Sequence, residues 1–429
     1  MRCIICDSTD KWENIDQYRT KPSGMSICKG CGFVSYPAQW KSEAEIKEYY
    51  REAYRQPPAM GNIFTGQRKL NFHRAFLTPL FKEWQEKGLD KPVVGEIGAA
   101  FGMFLDWVRK CVPGAEVYGT EWTTSYRRVA YHDYGIELTE DFDPSRKYDL
   151  IVSYKVAEHQ MDADILMRQY VEALKPNGYF YVSVPTWFGE MSNFGVPGFN
   201  IEYYYHTNHI NVWSRKLFQT FLKKVGLKVV RSNFVYYNDT YLCVRDDSLM
   251  SEPREYENPE EIMALMERIK GAFQAAESGD FMKALELYPN FPQAHTGRYE
   301  IKRAEWHKEG FDLIKQQIIE PALKQCPEST DVRVLSGDLC MRYDRYDLAL
   351  QYFEQALKMK PDDAFSLMQI GQCFRHLSER EKDPKASMRF RAQAHDVMKY
   401  LTTVSKQVEP EAVSWMLLDS ANIPMPSEL

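Results

Sequence analysis

Val93-Val94-Gly95-Glu96-Ile97-Gly98-Ala99-Ala100-Phe101-Gly102, followed by Val117-Tyr118-Gly119-Thr120-Glu121, reads as a buried strand, a glycine turn, a helix and a second strand ending in an acid. A parallel α/β sheet holds an adenosine-containing cofactor with this order of elements. Gly98 lets the backbone turn sharply, and Gly102 lets the following helix approach the strand. Glu121, nineteen residues after Gly102, can accept hydrogen bonds from both ribose hydroxyls. The loop lacks the Gly-x-Gly-x-x-Gly order that a dinucleotide pyrophosphate needs.

Downstream, Lys147-Tyr148-Asp149-Leu150-Ile151-Val152-Ser153 reads as another buried strand, with Val156-Ala157-Glu158-His159 after it. Ala173-Leu174-Lys175-Pro176-Asn177-Gly178 then forms a turn into the apolar run Tyr179–Pro185. Together with Glu-x-Gly-x-x-x-Gly, this set resembles class I S-adenosylmethionine-dependent methyltransferases over roughly residues 90–245. Two substitutions stand inside the pattern. Asn177 replaces the first glycine of a Leu-Lys-Pro-Gly-Gly turn and tolerates positive φ, while Ala100 stands where many members carry a third glycine. The resemblance implies a Rossmann-like α/β core and a cofactor set of Glu96, Gly98, Ala99, Gly102, Glu121, Trp122, Asp141, Ser153 and Tyr154. Asp141, or its neighbour Glu140, follows the expected third strand where the family contacts the adenine amino group. Ser153 and Tyr154 would lie beside the methionine part. Lys155, at a position usually apolar or small, reads as a solvated side chain or as a contact to an anionic substrate.

The chain has 429 residues, a formal charge of −6, 14% aromatic residues and nine cysteines. That length supports two or three domains. The charge argues against a broad phosphate-binding face, so nucleic acid is not the favoured partner. No apolar run approaches the roughly twenty residues of a membrane span, and Met1-Arg2-Cys3-Ile4-Ile5-Cys6 has no signal-peptide layout. The cysteines fit a reducing, cytoplasmic setting.

Cys3-x2-Cys6 and Cys28-x2-Cys31, with twenty-one residues between the pairs, predict two knuckles of a tetrahedral Cys₄ site. Four thiolates leave no open position, so the expected Zn²⁺ is structural. Gly30 and Gly32 permit the tight second knuckle. The charge-balanced loop between the pairs favours a packing module or lid over a nucleic-acid reader. Ser42 with Glu45 forms a capping box at the start of a helix carrying Tyr50 and Tyr54. Their helical spacing reads as a packed face, with a substrate wall as the alternative. A ribbon leading into such a helix resembles the zinc-binding C-methyltransferases that act on nucleotide-linked deoxysugars.

Methyl transfer needs an aligned acceptor and, for a weakly acidic one, a base. His159 follows a strand on the ligand-binding edge, where it acts on substrate or braces the next helix. Tyr203-Tyr204-Tyr205-His206-Thr207-Asn208-His209-Ile210-Asn211-Val212-Trp213-Ser214 gathers further candidates. On the sugar-enzyme resemblance His209 matches the catalytic histidine and His159 a second active-site histidine. His206 stands where that family has tyrosine, and Asn208 where it has glutamate. The fourth strand lacks an Asp/Asn-Pro-Pro-aromatic motif, and the chain contains no Pro-Cys dipeptide, which disfavours standard DNA base methylation.

Leu227–Ser232 and Tyr241–Arg245 read as the paired last strands, and a charged segment from Asp246 to Pro259 follows. Beyond it, Gly337, Tyr346, Ala349, Phe353, Ala356 and Pro361 stand at tetratricopeptide spacing, with Pro327/Pro361 and Gly337/Gly371 each 34 residues apart. Gly279-Asp280-Phe281 suggests an earlier degenerate unit, and Arg380–Pro384 interrupts the one after Gly371. Such stacks bind peptides or a second subunit. The expected organisation is ribbon 1–40, helical lead-in 41–90, catalytic core 91–247, linker 248–262, tetratricopeptide-like repeats 263–405 and tail 406–429. The expected activity is methylation of a small-molecule or sugar acceptor. The rivals are a nucleic-acid or protein methyltransferase and a non-catalytic scaffold.

Overall fold

In the computed structural model, residues 2–18, 24–36, 42–52, 73, 76–186, 209–235, 238–306, 310–359 and 363–404 are described. The chain folds as two compact units, one ending at Phe273 and the other beginning at Gln274.

The first unit is built on a six-stranded sheet. Its members are β4 (Val93–Ile97), β5 (Glu116–Thr120), β6 (Tyr148–Tyr154), β7 (Leu174–Pro185), β9 (Leu227–Val235) and β10 (Asn238–Arg245), in the order β5-β4-β6-β7-β10-β9. β5, β4, β6 and β7 run parallel, whereas β10 is antiparallel to both β7 and β9. The parallel strands are apolar on both faces because helices cover both, so Val94, Leu150, Ile151 and Val152 are buried. The helix Met103–Cys111 packs beside β4 and β5 through Phe104, Leu105 and Val108. The third strand expected before Asp141 is reduced to a single bridge, Thr120 to Thr139. Gly135 ends the preceding helix in the left-handed region, and Asp143-Pro144 follows soon after, so too few residues remain for a longer pairing.

A second, four-stranded sheet contains β1 (Trp12–Asn14), β2 (Ser26–Cys28), β3 (Val34–Ser35) and β8 (Asn211–Val212), in that order. The first three strands come from the cysteine segment, and the fourth comes from the stretch after His209. The cysteine segment is therefore not a detached bead. Cys3, Ile4, Cys28, Cys31 and Phe33 share one core with Trp213, Phe218 and Phe221, and Phe33 lies 5.1 Å from the Trp213 ring. Burying each such aromatic contributes about 2–3 kcal/mol. An ionic clasp adds direction. Buried Lys224 donates to the Ile4 carbonyl at 2.7 Å, to Asp7 at 2.7 Å and to Asp164 at 3.1 Å. Arg2 meets both oxygens of Asp164 at 2.7 Å.

The segment read as a linker is fastened to the same unit. Glu257 donates its N–H to the Cys31 carbonyl at 3.1 Å and accepts from Ser214 Oγ at 2.8 Å. Arg254 donates to the Ile5 carbonyl. Gly32, at φ 76°, has no room for a side chain, since an added Cβ would fall 2.7 Å from Glu257 Cβ. Charge and proline mark this stretch as a break in the chain's regular pattern, but they do not reveal what it lies on, nor that Asp247–Ser251 turns as a short 3-10 helix and that a long helix opens at Pro259.

The second unit is helical. Thr330–Arg342 packs on Tyr346–Met359, and Ala364–Arg380 packs on Pro384–Val404. Small residues set the spacing: a Cβ on Gly337 would lie 2.7 Å from the Phe353 ring, and one on Gly371 2.8 Å from Met398 Sδ. Arg380–Pro384 is the turn between two long helices. Asp383 accepts from the Lys385 N–H, and Pro384 opens the next helix. Earlier in the unit, His295 is 2% exposed, and burial pushes its pKa down to about 4.

A base whose pKa is lowered on folding stabilises the fold above its unfolded value and loses that contribution as pH falls. The helical unit should thus lose about 3 kcal/mol between pH 6.5 and pH 4. Urea unfolding followed by far-ultraviolet dichroism across this window should show the loss in the wild type and a flatter profile in His295→Asn.

Candidate active site

A cavity of about 370 Å³ opens at the carboxyl ends of β4, β5 and β6. Open α/β sheets leave their crevice on this edge. One wall is the loop between β4 and the next helix. Gly98, Ala100 and Gly102 hold φ values of 67°, 48° and 71°. A Cβ on Gly98 would fall 2.7 Å from Val156, and one on Gly102 would press on Ala130 and Ile136 at 3.3 Å. Gly102 is thus fixed by its turn and by the neighbouring helix Thr124–Tyr134. Ala100 adopts the left-handed conformation without being glycine, at a cost of about 1 kcal/mol.

Glu121 holds this loop. Its carboxylate accepts from the Ala100 N–H at 2.9 Å and from the Thr123 N–H at 2.8 Å. The side chain predicted to meet a ribose therefore also ties the loop to the end of β5. Gly98, Ala100, Phe101, Glu121, Trp122 and Thr123 line this half of the cavity.

A second wall is α1 (Glu43–Glu52). Glu43, Lys47 and Tyr50, at i, i+4 and i+7, all line the cavity. Lys47 pairs with Asp141 at 2.6 Å. Arg51 pairs with Glu140 at 2.8 Å, and Arg127 reaches the other oxygen of Glu140 at 2.9 Å. The hydrogen bond from Arg51 is the main reason the Glu140 carboxyl lies below the usual range. Of the two acids considered for adenine, Glu140 is thus held by two arginines, while Asp141 is largely exposed and paired through one oxygen. Glu43 accepts from the Met161 N–H at 3.0 Å, and burial pushes its carboxyl pKa up.

The third wall carries Tyr154, Lys155, Val156, His159 and Gln160. Lys155 turns the chain at φ 58°. His159 ends the short turn Ala157–His159. Its Nδ1 lies 3.0 Å from the Tyr50 hydroxyl, its Nε2 lies 3.8 Å from a Glu158 carboxylate oxygen, and its ring is 5.0 Å from that of His209. The two histidines, 50 residues apart in sequence, are brought into contact, and of the three rings Tyr50 and His159 line the cavity. Tyr50 packs against Trp122 and His159 and lines the cavity as well, so the packed face and the wall are the same surface. Tyr54 and His206 lie outside the described residues. Glu96, Ala99, Gly102 and Ser153 sit behind the lining, and the buried Ser153 hydroxyl has no hydrogen-bond partner among the described residues.

Sequence reasoning passed over Lys47, Arg51, Arg127, Glu43 and Asn211. For α1 the signal was present as the i, i+4, i+7 face. Arg127 meets Glu140 thirteen residues on, across the turn after its helix, while the partners of Asn211 lie far away in the chain.

Away from the cavity, the four predicted cysteines converge. Cys3 and Cys31 Sγ are 3.5 Å apart, as are Cys6 and Cys28, and all four sulfurs fall within 4.8 Å of one another. The sulfurs of a ZnS₄ tetrahedron stand about 3.8 Å apart, so the set fits that ion.

A family model described as a methyltransferase domain matches residues 71–232. Residues 71–232 are a methyltransferase domain. Over 97 residues the chain is 33% identical to a ubiquinone biosynthesis O-methyltransferase of Bradyrhizobium diazoefficiens, covering 20% of this chain and 38% of that protein. The chain thus spans little more than a third of that relative. Among solved structures, it is similar to a TehB-like methyltransferase of Corynebacterium glutamicum (16% identity, TM-score 0.28, 36% of this chain and 80% of that one). It is also similar to an S-adenosylmethionine-dependent methyltransferase of Mesorhizobium loti (17%, TM-score 0.30, 36% and 91%). The glycine loop and Glu121 lie together at the carboxyl ends of β4 and β5, within the matched residues. No helix among the described residues is long and apolar enough to cross a membrane.

Relief of the left-handed strain at Ala100 should make Ala100→Gly more stable by up to about 1 kcal/mol, while β-branched Ala100→Val should be less stable by at least as much. Urea midpoints of the two variants measure the difference.

Proposed function

We propose that the domain transfers a methyl group from S-adenosylmethionine to a small-molecule or sugar acceptor, with His209 as general base and His159 assisting. The observation that carries this reading is that Tyr50 and His159 line a cavity whose other half is the Gly98–Glu121 cradle, with the His209 ring 5.0 Å behind that of His159. When bound, the cofactor supplies an electrophilic methyl on a sulfonium. Glu121 would hold the ribose hydroxyls and Asp141 would accept from the adenine amine, with Trp122 and Phe101 lining the same half of the cavity. Tyr50, hydrogen-bonded to His159 Nδ1, fixes that ring so that its other nitrogen faces the Glu158 side. His209 takes the proton from the acceptor as its atom is alkylated. The O-methyltransferase named among the relatives favours an oxygen acceptor.

We assign the four cysteines to one structural Zn²⁺ and the helical unit to binding a protein partner or a second copy, the latter on its 34-residue spacing. The net charge of −6 argues against nucleic acid as the main acceptor.

His209→Ala should lower turnover at least about 100-fold, with cofactor affinity within a few-fold of wild type. The measurement follows labelled methyl from S-adenosylmethionine across nucleotide sugars, phenols and RNA. Undiminished transfer in the variant removes the histidine-base mechanism. Elemental analysis should find about one zinc per chain, and Cys28→Ser should lose the metal and melt at a lower temperature. A zinc-free wild type that melts normally contradicts the assignment.

A further inference from the structure

His159 and His209 both sit where regular structure is thin. His159 ends a three-residue turn, and His209 precedes β8, which is two residues long. Neither segment can fix its own position. Asn211 joins them. Its side chain is 3% exposed, and Nδ2 donates to the Ala157 carbonyl at 2.8 Å and to the Gln160 carbonyl at 2.7 Å. Both amide protons are used, and the two acceptors flank His159. Because both partners are carbonyls, only the nitrogen can face them, which settles the orientation of the amide.

On its other side this stretch is gripped by the cysteine segment. β3 pairs with β8 through Val34 to Val212 and Ser35 to Asn211. The Tyr36 N–H donates to the Ile210 carbonyl at 3.0 Å, and Ser35 Oγ donates to the same carbonyl at 2.8 Å. Trp213, 0% exposed against Phe33, anchors the next residues. His209 is thereby held from outside by the ribbon and from inside by the Asn211 amide.

We infer that Asn211 is the positioning residue that sets His209 against His159, and that the ribbon strand β3 is the outer half of the same clamp. The inference rests on the reading of the two histidines as the acid–base pair. It also gives the residue type a reason. Aspartate would turn an oxygen toward two carbonyls, serine has one proton to give, and glutamine is a methylene too long. A misplacement of about 1 Å at such a pair costs on the order of 100-fold in rate. The cysteine module therefore acts on the chemistry through the backbone that carries His209, without contributing a group to the cavity.

The test uses the full zinc-loaded chain labelled with ¹⁵N in its imidazoles. His209→Gln should shift the ring resonances of His159 in the wild-type background. That shift should disappear in Asn211→Asp, whose turnover should fall about 100-fold with S-adenosylhomocysteine affinity unchanged. If the shift persists in Asn211→Asp, the inference is overturned, because packing alone then holds the pair. If it disappears while His209→Ala retains full turnover, positioning stands and the base mechanism fails. Should Asn211→Asp not fold, Ser35→Ala removes only the Oγ bond to Ile210. It should then move the His209 resonances with dichroism and S-adenosylhomocysteine affinity intact, and unmoved resonances overturn the inference.

Discussion

Everything in the catalytic unit depends on the carboxylate of Glu121 accepting two backbone N–H groups, those of Ala100 and Thr123. The loop after β4 contains three left-handed residues within five positions, one of them an alanine. Such a loop leaves its N–H groups pointing away from any ladder and keeps its shape only if something collects them. Glu121 collects that of Ala100 from the end of the neighbouring strand, while the Ala99 N–H goes to the Thr120 carbonyl and the Gly102 N–H to that of Ala99. The parallel register of β4 and β5 brings Ile97 opposite Thr120, so loop and carboxylate arrive side by side. The cavity is the space this arrangement leaves open.

The remaining walls come from outside the sheet. α1 lies across the opening through Lys47 and Arg51 to Asp141 and Glu140, and through the Tyr50 backbone carbonyl, which accepts from Thr123 Oγ1 at 3.2 Å. Exposed ion pairs of this kind contribute little stability individually. Their effect is to place Tyr50 beside His159. The cysteine segment works similarly at longer range, adding three strands to a sheet whose fourth carries the His209 stretch. Two modules that read as accessories thus furnish the positions of the polar groups, while the sheet furnishes the cradle.

The legibility of these parts follows from how local they are. The strand–loop–strand unit is written within about thirty residues as apolar runs broken by glycines, and the cysteine knuckles as two-residue gaps, so both could be read directly. The 34-residue spacing of Gly337 and Gly371 points to helix pairs for the same reason, and each glycine meets a large side chain across its pair. The third strand was over-read, because a short apolar run does not reveal that its pairing stops at one bridge. Helical spacing gave Tyr50 a packed face, and it could not show that Trp122 and His159, against which Tyr50 packs, border a cavity. What Asn211 bonds could not be read, because its partners lie 54 and 51 residues away and the two-residue strand it begins has no periodicity to detect.

The measurement that tests this account most directly is calorimetric titration of S-adenosylmethionine and S-adenosylhomocysteine into the folded protein and into Glu121→Ala. The account predicts one site per chain for both ligands in the wild type and a loss of affinity of at least about tenfold in the variant, since the ribose contact and the loop fastening disappear together. Absence of binding to well-folded wild-type protein, or equal binding to the variant, would contradict it.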